Sequence, residues 1–173
     1  MKLVNWVRFS WDITNLPLSA RELPEHYEIA PTSPEDEREL RKVISRSIVL
    51  DATWNPAMKE VMQAIDTWLD EAFASPTGIF LALHHGLRII GASILLTDPS
   101  GENHFAPGPC VLVEYRNRGF GTALLEYSLR ALHNAGVAEA VAVSKENAPV
   151  AKFLYPKFNG ALTPGDHSPL LAA

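Results

Sequence analysis

Apolar positions change their spacing several times along the chain, and each change predicts an element. The first run, LVNWVRFSWDI (3–13), alternates roughly in twos and is rich in valine and aromatics, which predicts a strand. It is placed to pair with HYEIAP at 26–31 across the connection from Pro17 to Pro24. SPEDERELRKVISRSI then has Ser33 as N-cap, Pro34 in the first helical position, and Glu35, Asp36 and Glu37 at the positive end of the macrodipole. That combination starts a helix. After a break at 52–56, MKEVMQAIDTWLDEAF sets Val61, Ile65, Trp68 and Leu69 on one face, a second amphipathic helix with Trp68 in the core.

Beyond Gly78 the period falls to two. GIFLALHHGLRIIGASILLTDPSGENHF reads as two strands joined at His85 and Gly86, followed by a turn at 98–101. CVLV at 110–113 follows Pro107, Gly108 and Pro109, residues that belong at a strand start or bulge, so this strand is expected to be irregular. Leu124, Leu125, Leu129, Ala131, Leu132 and Ala135 restore a helical stripe that Gly136 ends. AEAVAV at 138–143 reads as a buried strand, and Asn147 is placed to cap a last helix, APVAKFLYPKF, which Pro156 distorts or ends early. The tail from Gly160 offers one more strand around Ala161–Thr163. Helices interleaved with strands give an α/β or α+β class with a mixed sheet.

Length and composition narrow the picture further. With 173 residues, 47% of them hydrophobic and 20% charged, the chain fits one soluble domain that buries roughly 70% of its unfolded surface. No repeat or linker divides it, so one domain over 1–173 is expected, with residues 1–25 an N-terminal extension packed on it as a strand. No apolar run approaches the roughly 20 residues of a membrane helix, and Arg8 and Asp12 interrupt any secretory leader. A cytoplasmic location and no membrane partner are therefore expected. The single cysteine, Cys110, fits a reducing compartment and reads as a buried small hydrophobe. A formal charge of −5 supplies no basic field for nucleic acid and mildly favours a cationic small molecule as partner. The six histidines fall into no compact metal spacing, so no metal is expected.

The stretch with chemistry in it is EYRNRGFGTALL, 114–125. A strand, a glycine-bearing turn and a helix start make a generic anion site, because the first helical amides lack internal acceptors and the macrodipole favours negative charge there. Gly119 and Gly121 leave those amides open to a phosphate, and Arg116 and Arg118 add mobile positive charge at the rim. No lysine follows as a Walker A loop requires, and Leu124 stands where a dinucleotide fingerprint needs a small residue. On the hexapeptide alone, a simple turn with solvated arginines stays open.

In the sequence VLVEYRNRGFGTALL, 111–125, Arg116, Gly119 and Gly121 form an RxxGxG pattern that resembles the acetyl-CoA-binding motif of the GNAT superfamily of N-acyltransferases. The order of elements from about Tyr27 to Gly160 resembles that superfamily too. Two departures stand out. Val113 occupies a frequent proline position, and Asn147 and Tyr155 are eight residues apart where the family pattern has seven, as if one residue were inserted.

The resemblance implies a mostly antiparallel sheet flanked by helices, whose splayed central strands form an acyl-CoA cleft. It implies that backbone near Val111 and Val113 bonds the pantetheine arm. The pyrophosphate would rest on the amides of Arg118, Gly119, Phe120, Gly121 and Thr122 beside Arg116, with Asn147 contributing from downstream. The implied reaction is N-acetyl transfer from acetyl-CoA to a small-molecule or peptide amine, by a monomer or homodimer, with no metal. Tyr155 is the candidate general acid for the departing thiolate. Glu114 and His104 both stand as candidate bases, and Asp51 and Trp54 either meet a cation in the acceptor site or are ordinary loop and core residues. A non-catalytic acyl-CoA-binding sensor or structural domain is the alternative.

Overall fold

The computed structural model describes residues 5–15, 22–105 and 107–163. In chain order the elements are β1 (Trp6–Asp12), β2 (Tyr27–Pro31), α1 (Glu37–Val49), α2 (Met58–Ala74), β3 (Ile79–His85), β4 (Arg88–Leu95), β5 (Cys110–Val111), α3 (Phe120–Asn134), β6 (Glu139–Lys145) and β7 (Ala161–Thr163). The strands form two sheets, β2-β3-β4-β5 and β6-β1-β7, in which every pairing is antiparallel. Part of the Pro17–Pro24 connection and the tail beyond Thr163 lie outside the described residues.

Local sequence explains most of these elements. Ser33 does precede the first helical turn, a 3₁₀ turn over Pro34–Asp36, but its side chain makes no capping bond. Gly86 turns the β3–β4 hairpin at φ 60°, and Gly136 leaves α3 at φ 92°. The 98–101 turn closes with Gly101 N–H donating to Asp98 O at 2.9 Å. Asn147 takes a left-handed φ of 65° and caps nothing, since the following turn starts from Pro149 without a side-chain cap. Its amide, expected to hold the last helix, is thus replaced by the fixed φ of proline.

The expected pairing of the first strand with 26–31 does not occur. Instead β1 lies between β6 and β7, with Trp6 opposite Lys145 and Phe9 opposite Leu162. Its side chains give the reason: Val7, Phe9 and Trp11 pack into one core and Trp6 into the other, each 4% exposed or less. The row of Val7, Phe9 and Trp11 needs cover, which the cluster with α3 supplies, while on the other face Trp6 is followed by Arg8, Ser10 and Asp12. The strand expected at 110–113 is also shorter, because a 3₁₀ turn takes over at Val113.

Two apolar clusters cover the two faces of the sheets. Leu124, Leu125, Leu129 and Leu132 of α3 fill the first together with Val7, Phe9, Trp11 and Tyr155. The second joins α1 and α2 through Leu40, Ile44, Ile48, Val61, Ile65 and Trp68 to Trp6, Ala92 and Val143. Among the described residues the two sheets are hydrogen-bonded to each other at one end. There His104 donates its backbone N–H to Val141 O at 2.7 Å, and Asn103 Oδ1 accepts the Val143 N–H at 3.2 Å. At the other end β5 and β6 part.

Candidate active site

The turn before α3 is set by backbone conformation. Asn117 takes φ 63° and Gly119, the N-cap, φ 83°, a region that glycine enters without steric penalty. The first i−4 bond of the helix runs from Ala123 N–H to Gly119 O at 3.1 Å, so the amides of Phe120, Gly121 and Thr122 have no helical acceptor. Gly121 has a different reason to be glycine. It carries no left-handed φ, and a Cβ there would meet only Leu154, at ordinary contact distances of 3.8 and 3.9 Å. The fold does not require it, although glycine in a helix costs about 1 kcal/mol relative to alanine. What it does provide is open space beside Leu154, on the wall of a cleft.

That cleft, of about 390 Å³, runs between β5 and β6. Gly121, Leu154 and Tyr155 line it on the α3 side, while Ile48, Trp54 and Trp68 line it on the α1–α2 side. Leu112 N–H donates to Ile90 O at 2.9 Å, so the pleat turns the main-chain groups of Val111 the other way, toward the gap. The prolines at 107 and 109 supply no amide to bond across it.

The family model for the acetyltransferase (GNAT) family matches residues 35–160. The chain belongs to this family. The GNAT fold extends to solved structures: a GCN5-related N-acetyltransferase of Sphaerobacter thermophilus is 18% identical, with a TM-score of 0.63 over 94% of this chain and 50% of that one. A GNAT-family acetyltransferase of Colwellia psychrerythraea is 13% identical at TM-score 0.61, with 92% and 53% covered. A third, from Kribbella flavida, is 14% identical at 0.55, with 98% and 61% covered. The chain therefore spans about half the length of the first two, and the likeness carries the fold alone. No curated protein matches the chain.

Among the residues that the GNAT motif singles out, Val111, Arg116, Gly119, Phe120, Gly121, Thr122 and Tyr155 line the cleft. Val113, Arg118 and Asn147 do not: Val113 is 40% exposed in its 3₁₀ turn, and Asn147 is exposed after β6. Arg118 lies 5.5 Å from the Tyr115 ring centroid, on the exposed rim. Arg116 is no mobile charge. Its Nε donates to Val111 O at 3.0 Å, one terminal nitrogen to Asp51 Oδ2 at 2.5 Å and the other to Ser47 O at 2.7 Å, which pins the turn to the end of α1. The planar fork of arginine suits three fixed acceptors, and Asp51 meets its cation within the protein.

Both groups considered as the base are engaged elsewhere. His104 is fully buried, with Nδ1 accepting the Val141 N–H at 2.9 Å and Nε2 therefore donating to Asp98 O at 2.7 Å. Burial lowers its pKa, so it stays neutral as a stitch between the sheets. Glu114 pairs with Arg88 at 3.3 Å on an exposed surface outside the cleft.

Tyr155 reaches the cleft through a local distortion. Val150–Leu154 forms a π turn, with Tyr155 N–H bonded to Val150 O at 2.8 Å. A π turn holds one more residue than an α turn, which accounts for the extra residue between Asn147 and Tyr155. The phenol is 1% exposed and packed against Phe9, Trp11 and Phe105. A Cβ on Gly108 would overlap its hydroxyl, which places that hydroxyl against the Pro107–Cys110 wall. Burial, then the charge of the Cys110 thiolate, raises its pKa well above the ordinary tyrosine value. Cys110 lines the cleft half-buried, and its thiol is pushed up to about 11 by burial.

The far end of the cleft was largely missed in the sequence. It is lined by Trp6, Trp54 and Trp68, three residues from separate segments, with Lys145 Nζ 5.8 Å from the Trp54 ring centroid. Trp68 is both core, at 7% exposure, and cleft wall. Only the placement of β1 beside β6 brings Trp6 to this group.

Proposed function

We propose that this GNAT protein is an N-acetyltransferase that takes acetyl groups from acetyl-CoA to a small-molecule or peptide amine, acting in the cytoplasm. One observation carries the reading: a single cleft reaches from the helix-start residues Phe120, Gly121 and Thr122, past the parted strands β5 and β6, to an end lined by Trp6, Trp54 and Trp68. A ligand bearing an anionic, phosphorylated end and a long narrow arm fits that shape, and the non-obligatory Gly121 stands where the anionic end would approach. No metal is required by this chemistry.

The chain's groups divide the work. The amides of Phe120, Gly121 and Thr122 hold the pyrophosphate; Phe120 itself anchors the turn, its ring 4.7 Å from that of Tyr27. Arg116 acts by fixing the Val111 carbonyl and the turn, not by touching phosphate. Val111 N–H aligns the arm or meets the acyl oxygen as charge grows there. Acetyl-CoA supplies a thioester whose carbon bonds the amine nitrogen as its bond to sulfur breaks. The amine loses one proton to water, and the sulfur, held by a hydrogen bond from the Tyr155 hydroxyl, gains one from solvent. Because burial makes the phenol a weaker acid, Tyr155 serves mainly as a hydrogen-bond donor to the sulfur, with solvent completing the proton transfer.

A second reading, acyl-CoA binding without transfer, draws on the engagement of His104 and Glu114 away from the cleft. Thiol release from acetyl-CoA across a panel of amines, with calorimetry of coenzyme A in parallel, separates the two. Binding with amine-dependent thiol release supports the enzyme, and binding with no release for any amine supports the sensor. No heat at millimolar coenzyme A overturns both.

A further inference from the structure

The acceptor end of the cleft has a charge opposite to that of the whole chain. Asp51 is paired with Arg116 at 2.5 Å, and of the two lysines that line the cavity, Lys145 and Lys157, Lys145 is the one that lies against Trp54. Lys145 is half-buried at the end of β6 and has no carboxylate partner among the described residues; the adjacent Glu146 instead accepts a bond from Asn5 at 2.7 Å. Its place is set by register. Lys145 stands opposite Trp6, so the two side chains share one face of the sheet, the face covered by α1 and α2. Trp6 meets Trp68 edge to face at 5.6 Å, and Lys145 lies over Trp54.

An aromatic wall with a lysine beside it that has no carboxylate partner among the described residues suits an apolar body that carries an anion. The same cation disfavours an ammonium beside it, so an amine held there shifts toward the neutral form that attack requires. This offers an account of deprotonation at a site where neither His104 nor Glu114 is available. It also reverses the expectation, drawn from the net charge of −5, of a cationic ligand.

Resting on the acyl-transfer reading above, we propose that the acceptor belongs to the class of apolar α-amino acids, with Lys145 binding the carboxylate and Trp6, Trp54 and Trp68 enclosing the side chain. Three of the four tryptophans surround this pocket, so their emission reports binding independently of turnover. The protein, with and without coenzyme A, is titrated with phenylalanine, phenylalanine amide and phenethylamine; the last two keep the ring and amine but lack the carboxylate. Phenylalanine is expected to bind about tenfold more tightly than either, the contribution of one charged hydrogen bond. Lys145→Gln should bring that ratio to about one, and Lys145→Arg should retain it. Equal affinities in the wild type, or an unchanged ratio in folded Lys145→Gln, overturn the assignment. Thiol release from acetyl-CoA is followed with the same ligands. Tight phenylalanine binding without release sinks the transfer reading and upholds the pocket, whereas equal release with all three sinks the pocket and upholds the transfer.

Discussion

Replacing Gly121 with alanine should move stability and ligand affinity in opposite directions. In the ligand-free protein the new methyl group meets only Leu154, near 3.8 Å, so nothing must shift to admit it. The helix gains about 0.5–1 kcal/mol from the better helix former. For a chain of this length that gain raises Tm by about 1–4 °C. Coenzyme A, by contrast, loses the space through which its phosphates approach the amides of residues 120–122. The loss of one or two charge-assisted hydrogen bonds, each about 1.5–3 kcal/mol, weakens binding by roughly tenfold to over a hundredfold. Scanning calorimetry and isothermal titration on the same preparation measure the pair. A higher Tm with unchanged affinity refutes the phosphate cradle, and a lower Tm refutes the claim that the fold leaves room at 121.

Three further substitutions test other parts of the site. Arg116→Met removes the donor to Asp51, Ser47 O and Val111 O and should destabilise by about 2–4 kcal/mol in urea unfolding, where a loss under about 0.5 kcal/mol would reduce the fork to a surface contact. Tyr155→Phe keeps the ring among Phe9, Trp11 and Phe105 and should lower kcat about tenfold or more with KM for acetyl-CoA little changed; Gly108→Ala, by displacing the hydroxyl, should do the same, and unaltered turnover in Tyr155→Phe removes the hydroxyl from the chemistry. His104 has a folded pKa below its unfolded value of about 6.5, so the unfolded chain binds the extra proton first and stability falls as pH drops from about 6.5 toward the folded pKa. Urea midpoints between pH 7.5 and 5.5 should fall more steeply for the wild type than for His104→Asn, and parallel slopes would mean that His104 titrates freely.

Features encoded by neighbouring residues were legible before the fold was known. Gly119 needs its positive φ wherever that turn occurs, the stripe from Leu124 to Leu132 allows only a helix, and Ala161–Thr163 forms the strand that its sequence suggested. The count from Asn147 to Tyr155 disclosed an extra residue, although not that a π turn absorbs it. Features that depend on distant partners were not legible. The alternation of β1 predicts a strand but does not say whether Glu28 or Val143 lies beside it. The tryptophan-lined end of the cleft needs that answer, since Trp6 joins Trp54, Trp68 and Lys145 only through the pairing with β6. Likewise Arg116 and His104 looked like free chemical groups because their acceptors, Asp51, Ser47 O and Asp98 O, are chosen by the fold.

The place of β1 also constrains how the protein is made. Trp6, Phe9 and Trp11 are translated well before the two strands that flank them, β6 and β7. Until β6 emerges this aromatic segment has no sheet to enter, while β2, β3 and β4 can already pair with one another. The nascent chain therefore carries an aromatic segment whose burial waits until β6 and β7 have emerged, an interval in which exposed apolar surface favours aggregation.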